Sequence, residues 1–323
     1  MTMATNPMIS VVVPMYNEEE VVEVFFEAIT KVLRSLTTSY EIICVNDGST
    51  DMTLPKLIAA RGADPAIKII DLSRNFGKEI ALTAGLDFAT GDAVVPIDAD
   101  LQDPPELINE MVEKWRDGAD MVIAVRTDRG TDGWFKRTSA NLFYRVAGRL
   151  SDTGIPNNAG DFRLMDRKVI DALKALPERT RFMKGIFAWL GFKQAEVTYS
   201  RPERVAGTTK WKFWKLWNFA LEGIFSFTTL PLRIWTYMGF AISVIAPAYA
   251  LFIIVRTSFL GIDVPGYAST IVVILFFSGL NMLGLGILGE YVGRVFVEVK
   301  RRPLYLVRET IGVELNHEKP KPI

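Results

Sequence analysis

Two carboxylates, Asp98 and Asp100, close an apolar run from Ala93 to Ile97, and Leu101-Gln102-Asp103-Pro104-Pro105 follows at once. The run reads as a buried strand. Side chains alternate between the faces of a strand, which would set Asp98, Asp100 and Gln102 on one side and turn Ala99 toward the core. Two carboxylates and an amide are hard oxygen donors of the kind magnesium or manganese takes, at roughly 2.1 Å and with positions left for substrate phosphates. A nucleotide diphosphate is the substrate such a set favours. An isolated Asp-x-Asp also caps helices and solvates turns, so the rest of the chain must support the chemistry.

The elements that position this pair alternate along the first two-thirds of the 323 residues. Runs at Ile9 to Pro14, Glu41 to Asn46, Ile67 to Leu72, Ala93 to Asp98 and Met121 to Val125 read as strands, most of them followed by a helical pattern. Continuous apolar strands such as Ile9-Ser10-Val11-Val12-Val13 are buried on both faces, so the expected fold class is α/β, a mostly parallel, Rossmann-like sheet covered by helices. Sheets of that kind bind ligands beyond the carboxyl ends of their strands, where Asp98 and Asp100 stand. Asn17 with Glu20 predicts a capping box after the first strand. Ser49 or Thr50 is expected to cap a helix whose first turn holds Pro55.

Composition removes several classes of chemistry. The single histidine, His317, lies in a polar tail, so neither a Ser-His-Asp triad nor a histidine metal cluster has the residues it needs. The single cysteine, Cys44, sits in the apolar run Ile42 to Val45, reads as a small buried hydrophobe and leaves no disulfide framework. Acid or base work falls to carboxylate, lysine or tyrosine. Zero net charge hides a division: residues 1–130 carry 22 acidic and 11 basic side chains, and the remainder 15 and 26. The basic half is the one suited to anionic lipid or phosphate; its cations flank apolar segments and form no soluble basic face, so nucleic acid is not an expected partner.

A hydrophobic content of 49 % is high for a soluble protein. Residues 234–255 and 268–289 are each 22 residues without an ionised side chain. As helices each would reach about 33 Å, enough to cross a bilayer. Met1 to Pro7 is polar, so a cleaved leader is not expected. Lys210, Lys212, Lys215 and Arg233 precede the hairpin and Arg294, Lys300, Arg301, Arg302 and Arg308 follow it, which places both flanks in the cytoplasm by the positive-inside tendency. The expected organisation is a cytoplasmic catalytic domain over 1–203, an interfacial amphipathic region over 204–230, a transmembrane hairpin over 231–292 and a cytoplasmic tail over 293–323. Trp211, Phe213, Trp214 and Trp217 interleaved with Lys210, Lys212 and Lys215 suit a helix in the headgroup layer, with a soluble core helix as the alternative. Residues 133–150 show a weaker pattern of the same sort. Gly284-Leu285-Gly286-Ile287-Leu288-Gly289 matches the dinucleotide glycine pattern but lies inside an apolar segment, where small residues permit close helix packing; Gly289 and Gly293 form GxxxG.

Four ordered motifs carry the reading further: Val13-Pro14-Met15-Tyr16-Asn17-Glu18, Val45-Asn46-Asp47-Gly48-Ser49-Thr50-Asp51, Arg74-Asn75-Phe76-Gly77-Lys78, and the run from Asp98 to Gln102. Together they resemble the family 2 inverting glycosyltransferases of the GT-A fold. More narrowly, the chain resembles the membrane-bound polyprenyl-phosphate glycosyltransferases, relatives of dolichol-phosphate mannose synthase and bactoprenol glucosyltransferase. The resemblance continues through Gly160-Asp161-Phe162-Arg163-Leu164-Met165 and Gly207-Thr208-Thr209-Lys210-Trp211 to the paired helices. Processive polysaccharide synthases share the fold but add Gln-x-x-Arg-Trp, and neither Gln102 nor Gln194 begins that pattern.

The resemblance implies roles. Pro14, Tyr16, Glu18 and Asp47 would line the base and ribose pocket, Lys78 and Asp98 would meet the nucleotide sugar, and Asp100 with Gln102 would hold Mg2+ or Mn2+. Turn chemistry at Asn46-Asp47-Gly48 is the alternative for Asp47. Arg126, Arg163, Arg201, Arg204 and Lys210 would grip the phosphates of donor or acceptor, with plain surface cations as the alternative. Asp161 stands where the family places its base, and could instead orient Arg163 or meet the acceptor through the metal; Asp161, Arg126 and Asp100 form the expected catalytic set. The implied reaction is inverting transfer of a sugar, glucose from UDP-glucose, to undecaprenyl or another polyprenyl phosphate at the inner (plasma) membrane. A processive glycan synthase and a non-enzymatic nucleotide-binding scaffold are the alternatives. The glycine-rich hairpin suggests a homo-oligomer.

Overall fold

The structure, a computed structural model, describes residues 6–127, 159–176, 178–179, 183–200, 230–260 and 266–313. Among the described residues the core is a mixed sheet of eight strands in the order β7-β5-β6-β4-β1-β2-β3-β8, the last of them Val307–Ile311. The central strands β1 (Ile9–Met15), β2 (Tyr40–Asn46), β3 (Ile67–Leu72) and β4 (Ala93–Pro96) pair in parallel, as their unbroken apolar runs predict. β5 (Met121–Arg126) runs parallel to β7 (Gln194–Tyr199) and antiparallel to β6 (Ala159–Asp166), which also lies antiparallel to β4.

Alternation along the strands feeds two cores. Ile9, Val11, Val13 and Met15 pack on one face with α1 (Val22–Leu36) and α4 (Leu107–Arg116), while Val12, Ile43 and Val45 pack on the other beside α3 (Lys78–Phe88). α2 (Thr53–Ala63) lies with the first group; α5 (Arg167–Lys174) and α6 (Met183–Trp189) join the second. In α1 the buried residues Val22, Phe25, Phe26, Ile29, Val32 and Leu33 repeat at helical spacing, which is why this stretch forms a helix with one apolar face.

Several local expectations are corrected. β4 stops at Pro96, so alternation does not place Asp98, Asp100 and Gln102; the chain there is a turn, with Leu101 at φ 54° and Asp100 Oδ1 accepting from the Gln102 amide at 3.2 Å. Asn17 forms no capping box: its Oδ1 accepts from the Thr50 amide at 2.9 Å, and α1 begins later, at Val22. Neither Ser49 nor Thr50 caps α2; Asp51 Oδ1 accepts from the Thr53 amide at 3.0 Å instead. The residues after 293 are more than a tail. α8 (Tyr267–Lys300) runs past that boundary, and β8 (Val307–Ile311) adds antiparallel to β3 at the sheet edge.

α7 (Leu230–Leu260) and α8 hold 31 and 34 residues, about 46 and 51 Å at the helical rise. Both are long and apolar enough to cross a membrane, over Ile234–Ile253 and Val272–Lys300, and large side chains such as Tyr237 and Phe276 face outward from the chain. Gly284 lies where Trp235 of α7 meets α8, a contact that leaves no room for a Cβ. Of the dinucleotide-like glycines Gly284 packs against the other helix, whereas Gly286 and Gly289, like Gly293 of the GxxxG pair, have open space where a Cβ would stand. The expected interfacial segments at 133–150 and 204–230 lie outside the described residues.

Candidate active site

The carboxyl ends of β1, β2 and β4 and the start of α3 enclose a cavity of about 560 Å³. Pro14, Tyr16 and Glu18 reach it from the end of β1, Asp47 from β2, Asn75, Gly77 and Lys78 from the loop into α3, and Asp98 and Asp100 from the turn after β4. Parallel strands that end together bring these separate motifs to one place. Among the described residues its wall holds Glu18, Asp47, Asp98 and Asp100 and the cation Lys78. An anionic ligand meets excess negative charge there unless a cation accompanies it.

Asp47 is 2 % exposed, and its carboxylate accepts from the Phe76 amide at 2.7 Å and the Gly77 amide at 2.9 Å. Burial raises its pKa above the usual carboxylate value, and those two amides and Arg74 hold the rise back. Both oxygens are engaged by the loop into α3, 29 and 30 residues away in sequence, and Asp47 also lines the cavity wall. Gly48 is required beside it: φ is +68°, and a Cβ would stand 2.5 Å from the Arg74 carbonyl carbon.

Lys78 Nζ joins two carboxylates, Asp98 at 2.7 Å and Asp161 at 2.9 Å. Burial alone would lower its pKa, but the two acids outweigh burial and hold the ammonium charged. Asp98 is pushed up by burial and by Asp161 and Asp103, with Lys78 opposing. The turn after Asp98 supplies oxygen ligands of the expected kind. Gln102 is 5 % exposed and its Oε1 accepts no hydrogen bond among the described residues, while Asp100 sits at the cavity wall. Gln102 is not among the residues lining the cavity, but its orphan amide oxygen, two residues from the lining carboxylate of Asp100, fits a hard divalent cation shared with substrate phosphate. Among the described residues no cluster of three or more Asp, Glu, His or Cys could hold a metal.

Arg126 lies outside the cavity wall, at the end of β5, with Nε donating to the Tyr199 hydroxyl at 3.0 Å and Nη2 3.6 Å from Asp103. Asp103 and Tyr199 were not singled out from the sequence; the pairing of Arg126 with Tyr199 across β5 and β7 brings them to the site. Arg163 is a correction. It is 3 % exposed, donates to the Gly160 carbonyl at 2.7 Å and lies 4.0 Å over the Phe187 ring, and burial lowers its pKa to about 10. It braces the core and is not among the residues that line this cavity. Arg201, Arg204 and Lys210 lie outside the described residues. Asn75 and Gly77 complete the wall from the Arg74 to Lys78 motif, whose glycine opens α3 at φ 97°.

Comparison with known proteins agrees with this geometry. The sequence pattern described as Glycosyl transferase family 2 matches residues 10–174. The chain is 58 % identical over 306 residues to an uncharacterized glycosyltransferase of Synechocystis sp., covering 95 % of this chain and 96 % of the relative. It is 50 % identical over 300 residues to the prophage bactoprenol glucosyl transferase homolog of Escherichia coli, covering 93 % and 98 %. The fold is similar to glucosyl-3-phosphoglycerate synthase from Mycobacterium tuberculosis, solved with Mn2+, UDP-glucose and phosphoglyceric acid, with a TM-score of 0.51, 22 % identity and coverage of 68 % of this chain and 78 % of that one. With the motifs gathered at one cavity and the pattern spanning half of its length, the chain belongs to glycosyltransferase family 2.

Proposed function

We propose that the protein transfers glucose from UDP-glucose to the phosphate of a polyprenyl phosphate, undecaprenyl phosphate, with inversion at the anomeric carbon. The observation that carries the reading is the junction of a nucleotide-sized polar cavity with a hairpin of apolar helices: β8, a strand of the catalytic sheet, follows α8 after only a few residues. Half-identity to a bactoprenol glucosyl transferase homolog over nearly the full length supports glucose as the sugar and a polyprenol as the acceptor. Strands from both sides of the hairpin in one sheet support a topology with both flanks and the catalytic domain on one side of the bilayer, and the basic residues after α8 favour the cytoplasm as that side.

Tyr16, half exposed at the cavity mouth, offers a face for the nucleobase, with Pro14 and Glu18 beside it. Asp100 and Gln102 would hold Mg2+ or Mn2+, which supplies positive charge to the diphosphate as it leaves. Lys78, charged between Asp98 and Asp161, is placed to meet donor phosphate oxygens at the start of α3. Arg126 meets phosphate from the other side of the turn. A phosphomonoester acceptor, with a second pKa of about 6, is largely dianionic at neutral pH and needs little help from a base. The Asp161–Lys78 ion pair favours an orienting role for Asp161 over that of a proton acceptor. Self-association through the hairpin remains part of the reading.

The test is incubation of purified protein with Mg2+, short-chain polyprenyl phosphate and a panel of labelled UDP- and GDP-sugars, followed by lipid extraction. Label from UDP-glucose in the lipid phase is expected. Free labelled sugar alone would remove the lipid acceptor, and intact donor throughout would remove the enzymatic reading.

A further inference from the structure

Next to the cavity, one phenol joins three segments that the sequence keeps far apart. The Tyr199 hydroxyl, at the end of β7, donates to Asp103 Oδ1 and accepts from Arg126 Nε at 3.0 Å. Arg126 Nη2 stands 3.6 Å from the same carboxylate oxygen. Asp103 follows Gln102 directly, so its carboxylate belongs to the turn that carries Asp100 and Gln102. The backbone adds to the lock: β5 and β7 pair Arg126 with Tyr199, and Thr127 donates to the Tyr199 carbonyl through its amide at 2.9 Å and its hydroxyl at 3.0 Å.

Burial gives this cluster its weight. Asp103 is 3 % and Tyr199 7 % exposed, whereas the Arg126 side chain is 29 % exposed. Two buried groups therefore hold one flank of the guanidinium on a side chain that stays partly exposed. An arginine has rotamer freedom worth up to about 2 kcal/mol, and a phosphate contact gains when that freedom has already been removed. Arg126 also passes Gly160, where a Cβ would lie 3.6 Å from Nη2, one residue before Asp161. Burial, with the Asp103 carboxylate, pushes the Tyr199 phenol up to about 12, so it stays a neutral donor at working pH.

We propose that Asp103 and Tyr199 are positioning residues that fix Arg126 against the turn bearing Asp100 and Gln102, so that the phosphate-binding arginine and the metal turn keep one relative placement. The inference rests on the reading of Arg126 as a phosphate contact. Tyr199 acts through Arg126 and touches no substrate.

A double-mutant cycle tests it on the full-length protein, with kcat and KM measured separately for donor and lipid phosphate. Arg126→Ala is expected to lower kcat/KM strongly. Tyr199→Phe, which keeps the buried ring, is expected to lower kcat/KM for the lipid phosphate about tenfold, the size of one hydrogen bond to a charged group, while UDP affinity stays at the wild-type value. In the Arg126→Ala background the same Tyr199→Phe change is expected to cost nothing more. A further loss there overturns the inference, because a merely structural tyrosine damages both backgrounds alike. Wild-type kinetics of Tyr199→Phe alongside an impaired Arg126→Ala overturns it while leaving Arg126 as a phosphate contact. Wild-type kinetics of Arg126→Ala overturns both. Should Tyr199→Phe fold poorly, Asp103→Asn probes the same lock from its other end, with the same expected non-additivity.

Discussion

Asp100 is half-buried on the cavity wall, where its Oδ1 accepts from the Gln102 amide. Asp100→Ala is expected to lower activity by about 100-fold or more, the scale of losing electrostatic stabilisation in the transition state, with the melting temperature nearly unchanged. Chelation with EDTA should abolish turnover, and Mg2+ or Mn2+ should restore it. An active Asp100→Ala protein would remove the metal assignment. Gly48→Ala has the opposite profile: a Cβ 2.5 Å from the Arg74 backbone at φ +68° is expected to cost about 1–3 kcal/mol of stability, read by denaturant unfolding, and to disturb the loop that Asp47 clamps.

Glu41, 1 % exposed, lies on β2 away from the cavity, ion-paired to Lys68 and accepting from Ser10 and from the Thr90 amide at 2.7 Å. Burial pushes its pKa up, but these partners outweigh burial and set it below 4.5. A depressed carboxylate contributes stability that is complete above its unfolded value and fades as pH falls through the folded one. Glu41→Gln should therefore destabilise at neutral pH by about 1–3 kcal/mol, with the gap to wild type narrowing as pH drops below 4.5. Equal gaps at both pH values would contradict this.

At the scale of elements, the strands that the sequence revealed are the apolar ones. β1 to β5 announce themselves because both faces are buried, whereas β6 (Ala-Gly-Asp-Phe-Arg-Leu-Met-Asp) and β8 (Val-Arg-Glu-Thr-Ile) mix charge into short runs that only their sheet neighbours define. The Asp98 turn shows the complementary limit. Residue types identified the oxygen donors, but the end of β4 at Pro96 and the left-handed Leu101 depend on tertiary placement. Arg163 was legible only as a cation; its burial over Phe187 needs the folded sheet. β8 offers a direct check. Arg308 pairs with the buried Asp71 at 3.2 Å and donates to the Ser73 carbonyl at 2.8 Å, at the start of the loop that leads to Asn75 and Lys78. Arg308→Ala is expected to lower stability by about 1 kcal/mol and to speed amide exchange over 307–311 before the rest of the sheet.

The whole molecule joins a polar cavity at the strand ends to helices long and apolar enough for lipid, and the chain returns from α8 into the sheet that bears the cavity. Arg179 donates its amide to Glu298 of α8 at 2.9 Å, and Tyr305 donates its hydroxyl to Asp87 at 2.8 Å, so the hairpin's last turns are tied to the domain that holds the site. That construction suits a reaction between a soluble nucleotide sugar and a phosphate in the headgroup layer, where positioning the two reactants supplies much of the rate. The measurement that tests this most directly is phosphorus NMR of short-chain polyprenyl phosphate incubated with the protein, Mg2+ and UDP-glucose. Conversion of the lipid phosphomonoester to a glucosyl phosphodiester, with anomeric configuration opposite to the donor's, is the expected result. A lipid monoester left unchanged while UDP is released would contradict the account.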